Sequence, residues 1–457
     1  MTNDGLMVSV SGVRGRVGGA LTPEIVARYA AGFGAWAKGR AGGKRVNIVL
    51  GRDSRVSGPM FHRVVLSALQ SVGCNVIDVG MAATPTIQLA VEHHHAAGGL
   101  AVTASHNPIE WNALKFIGPS GLFLDNDEGR EMRSVVDGDI PRAEWQLLGE
   151  FEADSQASAR HIDRILALPF IDVDGIRRRK FRVALDCVRG AGGALMPRLL
   201  EELGCQVTAI NLETDGVFPR PPEPVAENLG ELEELVRSSG ADIGFAVDPD
   251  VDRLALVSDE GKAIGEDYTL ALAAKLVLRH RQGNVVTNLS TSRILDDIAA
   301  EQGRRLIRTP VGEINVASRM RSENAPVGGE GNGGVILTEL HLGRDAPVGA
   351  AIILQLLLEE GRRLSEIVSE YPRYSIVKDK LDRPNAPLDS VYQALRATFS
   401  DAEADTQDGL RLTWPDRWVH VRPSGTEPIV RVIAEAPTLD EAQALIAKCR
   451  APLDALT

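Results

Sequence analysis

The stretch GLAVTASHNP, residues 99–108, joins an apolar run to a polar turn. Residues 99–102 predict a buried strand, and the Asn-Pro pair predicts a turn because proline fixes its own φ and restricts the residue before it. We therefore expect Ser105 on a loop at the exit of the strand, with its hydroxyl exposed as a candidate nucleophile. An ordinary turn, in which Ser105 only caps a backbone group, fits this stretch alone equally well.

Three other stretches favour the first interpretation. They are DPDVDR at 248–253, the glycine-rich GGEGNGG at 328–334 and RPSGTEP at 422–428. They offer three carboxylates, a polar loop, and a guanidinium beside hydroxyls and amides that can form an anion nest. A nucleophile, a site for a hard cation and two polar loops together indicate phosphoryl transfer to or from a small polar molecule.

The three aspartates in DPDVDR occupy every second position. In an extended segment alternate side chains share a side, so Asp248, Asp250 and Asp252 are expected to converge on one cation. Carboxylate oxygens suit Mg²⁺, which completes its shell with water or phosphate oxygens. A calcium-binding hand loop is excluded because it needs glycine at its sixth position, where Arg253 stands.

The order of the predicted elements indicates several α/β units. A chain of 457 residues is too long for one hydrophobic core. Strands alternate with helices, which is typical of sheets covered by helices, and the last unit has an α+β pattern. Linker-like segments predict domain boundaries that give the units 1–150, 151–259, 260–371 and 372–457.

Composition limits the classes of function. The chain has 50 basic and 62 acidic residues and a net charge of −12, which argues against a nucleic-acid surface. No apolar run has transmembrane length, and the N-terminus lacks the pattern of a signal peptide. We therefore expect a cytoplasmic enzyme without nucleic-acid or membrane partners.

With these motifs in place, the sequence resembles the α-D-phosphohexomutase family, which includes phosphoglucomutases, phosphomannomutases and phosphoglucosamine mutases. The four motifs occur in the order of the family and cover nearly the whole chain. The resemblance implies three similar mixed-sheet α/β domains and a smaller α+β C-terminal domain around a central cleft. It also implies Mg²⁺, a hexose phosphate substrate and a hexose 1,6-bisphosphate activator.

The resemblance also implies roles for individual residues. The catalytic group comprises Ser105, Lys115, Arg14, His106 and Arg253. The metal ligands are Ser105, Asp248, Asp250 and Asp252. The substrate-binding group comprises Thr309, Gly312, Glu330, Asn332, Arg422, Ser424, Gly425, Thr426 and Arg431. In the implied reaction, a phosphate on Ser105 passes to the sugar, and the bound 1,6-bisphosphate returns its other phosphate to Ser105.

The sugar-binding loop departs most from the family pattern, Gly-Glu-x-Ser-Gly-His. Asn332 stands at the serine and Gly334 at the histidine, while Glu330 is kept to accept from two sugar hydroxyls. Proton transfer is left to Lys115 and Arg14, and to His341 if that residue is not structural. For this role Lys115 would need a pKa well below the usual value of about 10.4.

The variant loop resembles that of chains usually assigned to phosphoglucosamine mutases. Glucosamine phosphate is therefore the first substrate predicted, followed by mannose and glucose phosphates. Two other classes of function remain open, a serine-dependent sugar phosphatase and a non-catalytic sugar-phosphate sensor. The oligomeric state, monomer or homodimer, is also open.

Overall fold

A computed structural model describes residues 5–382, 387–424 and 429–455. Within these ranges no helix is long and apolar enough to cross a bilayer. The elements form four sheets that follow one another along the chain.

The first unit is a seven-stranded mixed sheet with its helices. Its strands are β1 Met7–Ser9, β2 Gly12–Arg16, β3 Asn47–Arg52, β4 Asn75–Met81, β5 Gly98–Val102, β6 Trp111–Ile117 and β7 Phe151–Ala153. Its helices are α1 Pro23–Arg40, α2 Gly58–Ser71, α3 Thr84–His93 and α4 Asn126–Asp137, with a 3₁₀ turn at Trp145–Leu147. The strand order is β1-β2-β6-β5-β3-β4-β7. The domain boundary predicted at residue 150 therefore falls just before β7, which still pairs with β4.

The second and third units share one layout. The second contains α5 Ala157–Leu166, α6 Val173–Arg179, β8 Arg182–Asp186, α7 Gly192–Glu202, β9 Gln206–Ile210, α8 Gly230–Ser239, β10 Ile243–Val247 and β11 Leu254–Val257, with a 3₁₀ turn at Ala226–Asn228. The third contains α9 Asp267–His280, β12 Val285–Asn288, α10 Ile294–Glu301, β13 Leu306–Thr309, α11 Glu313–Glu323, β14 Val327–Glu330, β15 Gly334–Leu337, α12 Ala346–Glu360 and α13 Leu364–Val368. Each sheet has three parallel strands and one antiparallel edge strand, β11 or β15.

The fourth unit is an antiparallel sheet with two helices. It contains β16 Ser375–Asp382, α14 Leu388–Thr398, β17 Glu403–Asp405, β18 Leu410–Thr413, β19 Trp418–Pro423, β20 Ile429–Ala436 and α15 Leu439–Ala455. The strand order is β16-β20-β19-β18-β17. Three mixed α/β units followed by an α+β unit confirm the predicted fold class.

The hydrophobic cores show which units are packed as one body. A single cluster joins Phe245 of β10, Leu276 of α9 and Ile353 of α12, so the second and third units share a core. Residues 346–357 of α12 are all buried, as their nearly uniform apolarity predicts. The fourth unit has a separate cluster that includes Leu395 and Val432.

The parallel strands place the polar motifs at one edge of each sheet. Ser105 follows β5, Asp248 follows β10, and Glu330 ends β14. In open α/β sheets, ligands bind beyond the carboxyl ends of the strands. The three motifs therefore lie at the ends of their sheets where a ligand is expected.

Candidate active site

The serine loop is held in a left-handed conformation. Ser105 has a φ of 49°, which is unusual for a residue with a side chain. Its backbone N–H donates to Thr103 Oγ1 at 3.0 Å, and that hydroxyl donates to Asp53 Oδ2 at 2.6 Å. Ser105 is only 7% exposed. The predicted exposed hydroxyl is therefore wrong, because the hydroxyl faces another loop of the protein instead of solvent.

A buried arginine holds the backbone carbonyls of this loop. Arg55, which follows β3, is 0% exposed and donates to four backbone carbonyls. Nη2 bonds the carbonyls of Ser105 and Asn107, both at 2.6 Å, and Nη1 bonds those of Pro108 at 2.7 Å and Trp111 at 2.9 Å. Such charge-assisted bonds are stronger than neutral ones, so they hold the loop in place.

The guanidinium of Arg55 is itself held by a carboxylate. Arg55 Nε donates to Asp53 Oδ2 at 3.1 Å, the same oxygen that receives the Thr103 hydroxyl. Arg55 was not assigned from the sequence. A charged Asp-x-Arg pair directly after a buried strand beside β5 is the signal that could have identified it.

The three aspartates occupy a tight turn between β10 and β11. Val251 at the centre of this turn has a φ of 64°. One oxygen from each of Asp248, Asp250 and Asp252 lies within 4.8 Å of the others. The carboxylates converge as predicted, but the reason given was wrong, because a turn brings them together and not an extended segment.

The turn and the serine loop meet directly. Ser105 Oγ donates to Asp248 Oδ2 at 2.8 Å. The other oxygen of Asp248 accepts from the backbone N–H groups of Asp252 at 3.1 Å and Arg253 at 3.2 Å. One carboxylate thus orders its own turn and binds the candidate nucleophile.

The remaining two carboxylates each have one anchored oxygen. Asp250 Oδ2 accepts from Thr84 Oγ1 at 2.6 Å and from Lys115 Nζ at 2.7 Å. Asp252 Oδ2 accepts from Arg344 Nη2 at 2.7 Å and from Lys115 Nζ at 3.3 Å. The Oδ1 atoms of Asp250 and Asp252 are buried and have no hydrogen-bond partner. Because orphaned buried carboxylate oxygens are costly, these residues fit a hard divalent cation.

Burial and neighbouring charges shift the pKa values of two of the three aspartates in opposite directions. Burial raises the pKa of Asp248 well above its usual range, and the carboxylates of Asp252 and Asp250 raise it further. For Asp252, burial acts in the same direction, but Arg344 and Lys115 outweigh it and lower the pKa.

Lys115 on β6 lies against the triad and is largely buried. Burial lowers the pKa of its ammonium group, but Asp250 and Asp252 outweigh burial and raise the pKa above its usual value. The predicted low pKa is therefore wrong for this arrangement, because both neighbouring carboxylates favour the charged amine.

The other predicted catalytic residues border the serine loop. His106 Nδ1 lies 3.3 Å from Ser105 Oγ, and burial followed by the charge of Arg253 lowers the pKa of this histidine. Arg253 Nη1 donates to Glu223 Oε1 at 2.9 Å. Arg14 on β2 donates to the side chain of Asn107 at 3.3 Å.

The sugar-loop carboxylate, Glu330, is buried and held by protein donors. Its Oε1 accepts from Asn288 Nδ2 at 2.9 Å and from the N–H of Gly312 at 3.1 Å. Its Oε2 accepts from Arg344 Nη1 at 2.7 Å and from Asn332 Nδ2 at 3.4 Å. The Asn332 contact is the longest of the four and therefore the weakest.

Two other predicted residues, Thr309 and Gly312, lie at the end of β13 and in the loop after it, and the N–H of Gly312 donates to Glu330. Gly312 has a φ of 126°, a region that residues with a side chain rarely adopt, and it precedes α11. Thr309 is buried at the end of β13, and its hydroxyl lies 3.0 Å from the carbonyl of Pro310 and 3.3 Å from that of Thr287, either of which can accept its proton.

His341 lies in a buried polar network. Its Nε2 is 2.9 Å from Asp345 Oδ2, and Nε2 of His161 is 2.8 Å from the same oxygen. Burial would raise the pKa of Asp345, but the two histidines, led by His161, outweigh it and lower the pKa. His341 is thereby engaged at the N-terminus of α12.

The phosphate-loop residues lie partly outside the described ranges, which leave out Gly425 and Thr426. Arg422 and Arg431 are direct cross-strand partners on β19 and β20. Because like charges opposite each other are unfavourable, this pair is suited to an anion. Arg422 Nε also donates to Asp408 Oδ2 at 2.9 Å, and the N–H of Ser424 donates to the carbonyl of Ile429 at 2.9 Å.

The fourth unit contacts the third through the loops that follow β12 and β13. Asp408 Oδ2, which binds Arg422, also accepts from the N–H of Val311 at 3.0 Å. Ser290 Oγ lies 2.8 Å from His420 Nδ1 across the same boundary. These contacts bring the arginine pair close to the loop that follows β13.

Comparisons with known proteins match all four units. Models of the phosphoglucomutase/phosphomannomutase family match as α/β/α domain I at 6–139, domain II at 159–261, domain III at 265–374 and the C-terminal domain at 376–451. A "probable phosphoglucosamine mutase" of Methanopyrus kandleri is 38% identical over 445 residues, covering 96% of each chain. The chain belongs to the phosphoglucomutase/phosphomannomutase family. It is thus an enzyme of the isomerase class, and the resemblance identified in the sequence is confirmed.

Two further comparisons show how wide this family is. A "phosphoglucomutase/phosphomannomutase" of Thermococcus kodakarensis is 39% identical over 452 residues, covering 96% of each chain. A solved structure of a phosphoglucomutase/phosphomannomutase family protein from Burkholderia thailandensis is 27% identical, with a TM-score of 0.84 and 98% coverage of each chain. Relatives at similar identity thus carry different substrate names.

The contacts of Thr84 give a first test of the site. Replacing Thr84 with Val removes the hydroxyl that orients Asp250, so binding of Mg²⁺ should weaken about 10- to 100-fold, as is usual when the partner that orients a metal ligand is lost. Calorimetric titration of the purified protein with Mg²⁺ measures the change. Thr86→Val is the matched control, because Thr86 lies on the same helix and its buried hydroxyl contacts His161 instead. Equal Mg²⁺ affinity in the Thr84 variant and the wild type would contradict this assignment.

The contacts of Arg55 give a second test. Arg55→Met removes the donors that hold the serine loop, and we expect turnover of hexose phosphates to fall about 100-fold, as small misplacements of reacting groups cause. Arg45→Met is the control, because Arg45 makes only exposed contacts, with Glu150 and the carbonyl of Leu148 in the same unit. Steady-state rates and thermal melting are measured together. An Arg55 variant within about threefold of wild type would show that the loop does not depend on it.

Proposed function

We propose that the chain is a phosphohexomutase that moves a phosphate between O6 and O1 of a hexose through a phosphoserine at Ser105. The observation that carries the proposal is the 2.8 Å hydrogen bond from Ser105 Oγ to Asp248 Oδ2. It joins a candidate nucleophile to a carboxylate cluster with two orphaned oxygens. Phosphoryl transfer depends mainly on positioning and on stabilising negative charge, which this arrangement supplies.

The triad is proposed to bind Mg²⁺ through Asp248, Asp250, Asp252 and an oxygen on Ser105. The donor set consists only of oxygens, which is the set that Mg²⁺ prefers. When bound, the ion supplies positive charge next to the phosphate carried by Ser105.

In the proposed forward step, a sugar hydroxyl attacks the phosphorus on Ser105. The bond from phosphorus to Ser105 Oγ breaks, a bond to the sugar oxygen forms, and a proton moves from the sugar hydroxyl to the serine oxygen. Lys115, held in its charged form by two carboxylates, is proposed to relay this proton: its ammonium group protonates the serine oxygen, and the amine left behind takes up the proton of the sugar hydroxyl. Arg14, His106 and Arg253 surround the loop and are proposed to keep it in place and to offset charge.

The other end of the substrate is proposed to bind the fourth unit. Arg422 and Arg431 face each other, and Ser424, Gly425 and Thr426 belong to the connecting segment. A phosphate here would release Arg422 from Asp408, which also contacts the loop at Val311. Glu330 and Asn332, with Thr309 and Gly312, are proposed to hold the sugar in both orientations of the 1,6-bisphosphate, which also acts as the activator.

Glucosamine 6-phosphate is the substrate we propose first. The variant sugar loop and the names of several relatives support it, including the one from Methanopyrus kandleri. Mannose and glucose 6-phosphates are the alternatives, since the Thermococcus kodakarensis relative is named for them. The predicted cytoplasmic location and the oligomeric state stay predictions.

Replacing the nucleophile tests the proposed function. Ser105→Ala should lower turnover of all three hexose 6-phosphates by at least about 10⁴-fold, because no phosphoenzyme can form. Intact mass after incubation with glucose 1,6-bisphosphate should show one added phosphate in the wild type and none in the variant. Ser67→Ala, an exposed serine on α2, is the control and should behave as the wild type.

Three outcomes of these assays would contradict the proposal. Full turnover by the Ser105 variant would exclude the phosphoserine route. Steady release of inorganic phosphate without isomer formation would indicate a phosphatase. Binding of hexose phosphates without any turnover in the wild type would indicate a sensor.

A further inference from the structure

Gly334 occupies the position at which the family pattern of the sugar loop has a histidine. The space that a side chain at Gly334 would need is already filled. A Cβ atom built on Gly334 would lie 2.3 Å from Cδ and 2.9 Å from Cγ of Arg344. Carbon atoms do not approach so closely, so a side chain at 334 and the present position of Arg344 exclude each other.

Arg344 cannot simply move aside, because its guanidinium is anchored. Nη2 donates to Asp252 Oδ2 and Nη1 to Glu330 Oε2, both at 2.7 Å, and Nε lies 3.0 Å from Glu313 Oε2. The residue is 8% exposed. Releasing any of these contacts would remove a positive partner from a buried carboxylate.

The contacts of Arg344 join the two halves of the active site. Asp252 belongs to the aspartate turn at 248–253 of the second unit, here called the metal turn, whereas Glu330 belongs to the sugar loop at 328–334 of the third. One planar, always charged group therefore fixes the distance between the carboxylates of Asp252 and Glu330.

The other candidate for the missing histidine is engaged elsewhere. His341 shares Asp345 with His161 in a buried network at the start of α12. Arg344 follows His341 by three residues and directly precedes Asp345, so one segment supplies both His341 and Arg344. Of these neighbours, Arg344 is the one whose side chain contacts both Asp252 and Glu330.

We infer that Arg344 takes the place of the loop histidine, as a positioning residue that holds Glu330 in register with the metal turn, and that Gly334 is glycine to admit it. The inference rests on the proposed function for its meaning in catalysis. A guanidinium stays protonated and cannot relay protons. In this chain Arg344 therefore contributes hydrogen-bond donors and a fixed positive charge, and other groups must transfer protons.

The test is a double-mutant cycle with Gly334→His, Arg344→Ala and the two combined. Arg344→Ala should lower kcat/KM for the preferred hexose 6-phosphate about 100-fold, because Glu330 loses its register with the triad. Gly334→His alone should be at least as damaging, because the new side chain collides with the Arg344 stem. The kcat/KM of the combined variant should exceed that of either single variant by about tenfold or more, since the histidine then has room.

Two further variants separate positioning from general stability. Arg344→Lys keeps the charge but replaces the planar fork, whose two Nη atoms reach Asp252 and Glu330 separately, with a single nitrogen, so it should recover less than about a tenth of the wild-type kcat/KM. Arg411→Ala is the matched control, because Arg411 is a buried arginine of the fourth unit that packs over Trp418. It should lower the melting temperature without changing the preference among hexose phosphates.

Melting temperatures of the four proteins in the cycle make the test independent of turnover. Gly334→His should lower the melting temperature by roughly 5 °C or more when Arg344 is present, and by clearly less in the Arg344→Ala background. Equal effects of Gly334→His in both backgrounds would overturn the inference, as would an Arg344→Ala variant with wild-type kcat/KM. A wild type that converts no hexose phosphate would overturn the proposed function, and the melting cycle would still decide whether Arg344 excludes a side chain at 334.

Discussion

Three buried carboxylates that lie within 4.8 Å of one another are the constraint on which the active site depends. Their mutual repulsion is large at low dielectric, so each must be offset by positive charge or by hydrogen-bond donors. The first unit supplies Lys115, the second Arg253 and the third Arg344. The triad thus requires positively charged side chains from three successive units. The geometry of the active site therefore depends on how these units are positioned relative to one another.

The same constraint explains how the loops are fixed. Asp248 binds both its own turn and Ser105, and the serine loop is held from the opposite side by Arg55. Asp252 reaches Arg344, which reaches Glu330. A chain of charge-assisted bonds therefore runs from the serine through the metal turn to the sugar loop. The second and third units share one core, whereas the fourth has its own.

Much of this could be predicted from the sequence because the motifs are local. The serine stretch, the aspartate turn and the α/β order of the elements each depend on neighbouring residues. The sequence could not show that Thr84 donates to Asp250, since 166 positions separate them. It could not show the role of Arg344 either, because Asp252 and Glu330 come from other loops and only tertiary packing brings them to it. The predicted low pKa of Lys115 failed for the same reason, since two carboxylates from another unit decide its protonation.

The central claim is that the serine and the three aspartates surround a single divalent ion. Electron–nuclear double resonance with Mn²⁺ in place of Mg²⁺ tests it most directly, using protein phosphorylated on Ser105 and freed of inorganic phosphate. The account predicts a ³¹P hyperfine coupling to the bound Mn²⁺ that is absent from Ser105→Ala treated in the same way. Bound Mn²⁺ without ³¹P coupling in the phosphorylated protein would contradict it.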